Sequence, residues 1–451
     1  MAQDKQHPLP DGILPLRGSV TTSFAYTTIK DRMPVILTKA IDTLTRHLHD
    51  LHLDEGPAAQ SAKTAEAKEC ISTLSKLKYE MIRDRRVTYV VDNESDAETW
   101  NFLVDGLKES WGGDTWFSAP WLFVECLMYR KIQEVFNKTE NWKNFDVFAP
   151  QQKEPAFNGS VKSMIELSKH LANVESKMLE REGRSLALRE FIQFSLWGNQ
   201  TDLSLLINVN HADMHKSQAS SAQNLSEFEK NIIVNDMDAV LEKLLNIDGG
   251  RIDIVLDNAG FELVADLCLA DFLISSGIAK TVMLHAKKFP WFVSDTTPRD
   301  LEWTFAAVEK KAVEVGDEGL KARAARWTGL VKEGKWIVKV DDFWTTPYSF
   351  WNLPTAAPEL RSSLNESSFV IYKGDLNYRK LVYDAEWSTT TPFATAIGPV
   401  AETIKAPFVA LRTCKSDVAV GLKEGQEGDL KGRDSDWMVS GKYGMVQSFG
   451  C

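Results

Sequence analysis

Gly249-Gly250-Arg251-Ile252-Asp253-Ile254-Val255-Leu256-Asp257-Asn258-Ala259-Gly260-Phe261-Glu262 decides how the rest of the chain is read. Residues 252–256 are mostly aliphatic or β-branched and follow a Gly-Gly break, the composition of a strand buried in a parallel sheet. Asp257 and Asn258 fall at its carboxyl end. From Phe261 onward the apolar positions Phe261, Val264, Ala265, Cys268, Leu269, Phe272 and Leu273 recur at helical spacing, and Gly277 stops the run. The segment reads as strand, polar turn, helix. In open α/β sheets ligands bind beyond the carboxyl ends of the strands, so an acid and an amide placed there can hold a cation or a polar substrate. An Asp-Asn turn that only caps the next helix is an equally good reading of these two residues alone.

Four more strand candidates follow, at 281–285, 336–340, 368–372 and 408–411. Each runs into polar residues: Lys287 onward to Asp295, then Asp341 and Asp342, then Gly374 and Asp375, then Arg412-Thr413-Cys414-Lys415. Five such coincidences in succession are what a parallel sheet with one active edge produces. Upstream the pattern is helical, with periodic stretches at 24–53, 64–81, 96–107, 116–130, 161–180, 185–197 and 226–246, and only 87–91 looks strand-like. A predominantly helical region at 1–247 followed by an α/β domain at 248–451 is therefore expected.

With 451 residues the chain can build two domains or one large α/β domain with a helical elaboration. A net charge of −11 argues against a nucleic-acid partner, which would require clustered Lys and Arg, and favours small metabolites or metals. The five cysteines (Cys70, Cys126, Cys268, Cys414 and Cys451) are odd in number and show no CxxC pairing, so neither a disulfide framework nor a thiolate zinc site is indicated. No stretch reaches the ~18 successive apolar residues of a membrane span, and the first residues lack a signal-peptide core. The expectation is a soluble protein of the cytosol or nucleus, with a monomer favoured.

Residues 287–298 place a second carboxylate, Asp295, just before a helix with Thr297 as N-cap, Pro298 at N1 and Asp300 at N3. Asp257, Asn258 and Asp295 make an all-oxygen ligand set with two negative charges, suited to Mg²⁺, Mn²⁺ or a similar hard divalent ion. Arg379 and Lys415 are natural phosphate clamps, although either could instead pair with a surface acid. A divalent ion opposite such a clamp describes phosphoryl transfer to water. Glu125 lies in an apolar helix and needs a partner: it pairs with an Arg such as Arg130, or it faces the site.

Other motifs carry less. Of three clustered histidines only His49 and His52 have ligand spacing, with no third ligand near, and a solvated face explains them. His211-x-x-x-His215 has Ala212 where a zinc protease needs Glu, and Asn199 and Asp202 follow a helix end. Residues 329–335 imitate a phosphate-binding loop but continue with Trp336 where Ser or Thr is required, and no G-x-G-x-x-G follows a strand.

Four motifs in order, Asp257-Asn258-Ala259-Gly260-Phe261-Glu262, Pro290-Trp291-Phe292-Val293-Ser294-Asp295, Gly374-Asp375-Leu376-Asn377-Tyr378-Arg379 and Arg412-Thr413-x-Lys415, resemble the eukaryotic branch of the damage-control phosphatase family. These are metal-dependent carbohydrate phosphatases, some of them also described as acidic-residue methyltransferases. The resemblance covers most of the chain and implies a three-layer α/β/α fold, its sheet mainly parallel, with a helical N-terminal part. It implies metal ligands at Asp257, Asn258 and Asp295. Substrate contacts are implied at Asp257, Asn258, Asp375, Leu376, Asn377, Tyr378, Arg379 and Lys415. Fructose 1-phosphate and fructose 6-phosphate, with Mn²⁺, Co²⁺, Ni²⁺ or Mg²⁺, are the substrates and ions implied. The competing expectation is S-adenosylmethionine-dependent methylation of protein glutamate, with Glu262 and Asp295 contacting the cofactor. It lacks a Gly-rich strand-to-helix turn.

Overall fold

The computed structural model describes residues 7–51, 57–177, 180–198 and 228–451. Its centre is a seven-stranded sheet: β1 (Ile232–Asn235), β2 (Gly250–Val255), β3 (Ala279–Ala286), β4 (Trp336–Val340), β5 (Phe369–Lys373), β6 (Phe408–Thr413) and β7 (Gly444–Phe449), in the order β1-β7-β6-β5-β2-β3-β4. Every pairing is parallel except β6 with β7. The five strands expected from the sequence are all present, within two residues at most of their ends. The two missed strands join at one side of the sheet, β1 beside β7. β1 is four residues long and leads at once into a helix, so helical periodicity absorbed it into 226–246. Residues 87–91 form no ladder; only Arg86 bridges Thr115.

The longer helices are α1 (Met33–Leu51), α2 (Pro57–Ile82), α3 (Ala97–Trp111), α4 (Trp121–Asn137), α5 (Val161–Ser176), α6 (Arg181–Trp197), α7 (Met237–Leu245), α8 (Phe261–Ser275), α9 (Pro298–Val315), α10 (Glu318–Lys332), α11 (Pro358–Asn365), α12 (Gly374–Leu381) and α13 (Gln426–Arg433). They divide between the two sheet faces because strand side chains alternate. Val370, Tyr372, Phe408 and Ala410 join one core with α1–α4. Ile252, Ile254, Phe369, Ile371, Val409 and Leu411 join the other with α5–α10. The result is three layers, α/β/α, with a helical N-terminal part. The layer over the second face is drawn from both sides of residue 247, since α5 and α6 pack on α8 and β1 completes the sheet.

The expected cap of α9 is realised. Thr297 Oγ1 accepts from Asp300 N, and the Asp300 carboxylate accepts from Thr297 N at 2.8 Å. Among the described residues no helix is long and apolar enough to cross a membrane. His52, Asn199, Asp202, His211 and His215 lie outside the described residues, and His49 is exposed, 3.7 Å from Asp50.

Candidate metal and phosphate site

Sheet register sets the site. Val255 pairs with His285 on one side and Tyr372 on the other, and Tyr372 pairs with Ala410. Two residues further on, Asp257, Lys287, Gly374 and Arg412 therefore emerge level at the carboxyl ends of the parallel strands. The segment before α9 then crosses in front of β2. Thr296 N donates to Asp257 O at 2.7 Å, Ala259 N donates to Ser294 O at 2.7 Å, and Asn258 bridges Asp295. Phe292 and Val293 adopt φ of 42° and 72°, a left-handed conformation that costs a non-glycine residue on the order of 1–3 kcal/mol. Packing holds that turn: Trp291 is buried and Phe292 stacks on Tyr129 at 4.8 Å.

Asp257, Asn258 and Asp295 are thus brought together from two separate stretches. Asn258 Nδ2 donates to Asp257 Oδ2 at 2.7 Å and to Glu262 Oε2 at 2.8 Å, and Ser294 Oγ donates to Asn258 Oδ1. Lys287 lies 3.0 Å from Asp295 Oδ2, an ion pair without an aligned hydrogen bond, and also donates to Leu256 O at 2.9 Å. Burial, then the neighbouring charges of Glu262 and Asp295, hold the Asp257 carboxyl well above the usual range, with Lys415 and Lys287 opposing. Burial likewise raises Asp295 against the pull of Lys287.

Four carboxylates, Asp257, Glu262, Asp266 and Asp295, surround two buried ammonium groups, Lys287 and Lys373. Lys415 and Lys153 also act on this cluster, and the donor atoms at Asp257, Asn258 and Asp295 are all oxygens, the kind a hard divalent ion takes. Among the described residues no group of three or more His, Cys, Asp or Glu side chains is arranged for a metal, so the fit rests on this mixed set of two acids and an amide.

Lys415 stands on the loop after β6. Asp375 Oδ1 places it, accepting from Lys415 N at 3.1 Å, Ser416 Oγ at 3.1 Å and Arg412 Nε at 2.7 Å. Burial would raise the Asp375 carboxyl, yet Arg412 and Arg379 hold it below the usual range. No acid of the described residues forms an ion pair with the half-buried Lys415 ammonium, and its charge is felt at Asp257.

The run after Asp375 is occupied internally. Leu376 is buried, Asn377 donates to Lys373 O at 2.7 Å, and the Tyr378 hydroxyl accepts from Val420 N at 3.2 Å while its ring faces Arg412. Two expectations need correction. Arg379 is not a free phosphate clamp: it donates to Glu125 Oε2 at 2.7 Å and to both oxygens of Asp384, and stacks 3.8 Å over Trp121. Glu125 accordingly pairs with Arg379 and not with Arg130, which is bound by Asp92 and Asp96 at 2.7 Å each. A buried guanidinium with two carboxylates has little left to offer a ligand.

Sequence reasoning passed over Lys287, Ser294, Lys373 and Gly374 as working parts. The available signal was a lysine at a strand's carboxyl end in two cases, Lys287 just after β3 and Lys373 at the end of β5.

A family model described as the damage-control phosphatase ARMT1-like domain matches residues 28–430. Damage-control phosphatase ARMT1 of Danio rerio is 38% identical over 453 residues, covering 97% of this chain and 98% of its own. The proteins of that name from Xenopus laevis and Homo sapiens are 40% and 38% identical, each over 96% of this chain and over 98% and 97% of their own. A solved DUF89 family protein from Pyrococcus horikoshii superposes with a TM-score of 0.35 at 15% identity, over 73% of this chain and 86% of that one, a likeness on which nothing here rests.

Proposed function

The chain belongs to the damage-control phosphatase ARMT1-like family and is a phosphatase, and from that premise we propose that it is metal-dependent and hydrolyses small sugar phosphates such as fructose 1-phosphate and fructose 6-phosphate. The observation that carries this reading is the convergence of the oxygen donors Asp257, Asn258 and Asp295 at the end of β2, beside a Lys415 that forms no ion pair among the described residues. Asp257, Asn258 and Asp295 hold the ion, with Mn²⁺, Co²⁺, Ni²⁺ or Mg²⁺ as candidates. A divalent ion in such a site polarises a phosphoryl oxygen and lowers the pKa of its bound water. Lys415 supplies a point charge for the phosphate. Asp375 keeps that lysine in place through its backbone amide.

Methyl transfer from S-adenosylmethionine is less well supported. It asks Glu262 to contact the cofactor, yet Glu262 is buried, with one oxygen on Asn258 and the other on Lys373 at 3.1 Å. The test is phosphate release from a panel of sugar phosphates with each ion or with chelator, repeated on Asp257→Ala. Release that survives chelator or the substitution would refute the metal mechanism, and labelled methyl transfer without phosphate release would favour the alternative.

A further inference from the structure

The amide of Asn258 has two faces, and only its oxygen can bind a cation. Asn258 Nδ2 carries two hydrogens, and both are taken: Asp257 Oδ2 at 2.7 Å and Glu262 Oε2 at 2.8 Å. Carboxylate oxygens on both sides require the nitrogen between them, which turns Oδ1 to the opposite side, where Ser294 Oγ occupies one of its two lone pairs. Asp257 is itself a proposed ligand, so the fixed partner in this arrangement is Glu262.

Glu262 is fixed in turn from behind. Its Oε1 accepts from Lys373 Nζ at 3.1 Å, and the same ammonium donates to Ser195 O and lies 3.1 Å from Asp266 Oδ1. Asp266 Oδ1 also accepts from Ser195 Oγ at 2.5 Å. The Lys373 ammonium is thereby held by two hydrogen bonds and an ion pair, and Lys373, Asp266 and Ser195 are each no more than 1% exposed. The relay joins α6, α8 and β5. Gly198, just past α6, permits the approach, since a Cβ there would lie 2.8 Å from Glu262 Cα.

We propose that Glu262, braced by Lys373, Asp266 and Ser195, is a positioning residue that fixes the Asn258 amide with Nδ2 inward and Oδ1 on the Ser294 side, where its second lone pair is left for the metal. The inference rests on Asn258 being a metal ligand, as in the function proposed above. Partners of this kind orient metal ligands in many sites, and their loss weakens metal affinity about 10–100-fold.

The test is Mn²⁺ affinity of the full chain, read from the free-ion signal in electron paramagnetic resonance, for wild type, Glu262→Gln, Asn258→Ala and the double variant. A glutamine cannot satisfy both neighbours, because one end of its amide meets either Asn258 or Lys373 with a donor facing a donor. Glu262→Gln is expected to weaken Mn²⁺ binding ~10-fold or more in wild type and less than ~3-fold once Asn258 is alanine. Equal weakening in both backgrounds, or none in either, overturns the inference. Wild type that binds no Mn²⁺ sinks instead the metal reading on which it rests. Should Glu262→Gln melt far below wild type, Ser195→Ala, which keeps every charge, is run through the same cycle: weakening that depends on Asn258 is expected, and additive or absent effects overturn the proposal.

Discussion

Gly374 presses on the carboxylate of Asp257: a Cβ at position 374 would lie 2.1 Å from both Cγ and Oδ2 of that side chain. The glycine also holds φ at +86°, where any other residue is strained. Gly374→Ala is therefore expected to displace Asp257 and reduce kcat/KM for a sugar phosphate ~100-fold, since misplacing a reacting group by about 1 Å has that order of effect. Steady-state kinetics on the folded variant checks it. Activity within a factor of three of wild type would show that Asp257 has no need of its present position.

Arg379 separates a clamp from a strut. Its guanidinium is shared by Glu125 and Asp384 in a buried cluster. Arg379→Met leaves two buried acids without their cation and is expected to destabilise the fold by roughly 3–5 kcal/mol in a denaturant titration. Adding Glu125→Gln to that variant should recover part of the loss, because one uncompensated charge disappears. A stable Arg379→Met protein with a raised KM would restore the clamp reading.

Lys415 predicts the reverse pattern. No ion pair of the described residues depends on its ammonium, so Lys415→Ala should shift stability by no more than ~1 kcal/mol. KM for a sugar phosphate is expected to rise tenfold or more, the effect losing its size as ionic strength increases. An unchanged KM would remove Lys415 from the site.

Lys380 gives a pH signature of its own. Among the described residues its ammonium meets the carbonyls of Phe343 and Thr346, at 3.1 Å each, and the rings of Phe343 and Phe350. Burial pushes it down to about 7. Between that value and the ordinary lysine range the unfolded chain binds the extra proton, so folding stability attributable to this group rises as pH increases through the window. Between pH 7 and 9 the gain is about 2 kcal/mol relative to Lys380→Met, measured as the difference in their unfolding free energies. Parallel pH profiles for the two proteins would refute it.

A bound divalent ion should also appear as stability. At 100 times its Kd an ion that binds only the folded chain adds about 2.7 kcal/mol, and the increment should vanish in Asp257→Ala or with chelator. Thermal unfolding with and without Mn²⁺ measures it.

The strand, polar turn and helix around Asp257, the five parallel strands and the Thr297 cap were legible in the sequence because each depends on neighbours a few positions apart. Side-chain periodicity and cap chemistry are local, and they place the polar residues at one edge of the sheet. β1 escaped because four residues hold too little period to outweigh the helix that follows. Partner choice was decided only in three dimensions. Glu125 finds Arg379 across 254 positions, Lys373 finds Glu262 across 111, and Gly374 meets Asp257 by strand register alone. Charges act through space and not along the chain, so the sequence determined which acids, amides and cations reach the sheet edge, while the tertiary fold decided which neutralise one another and which remain for a ligand.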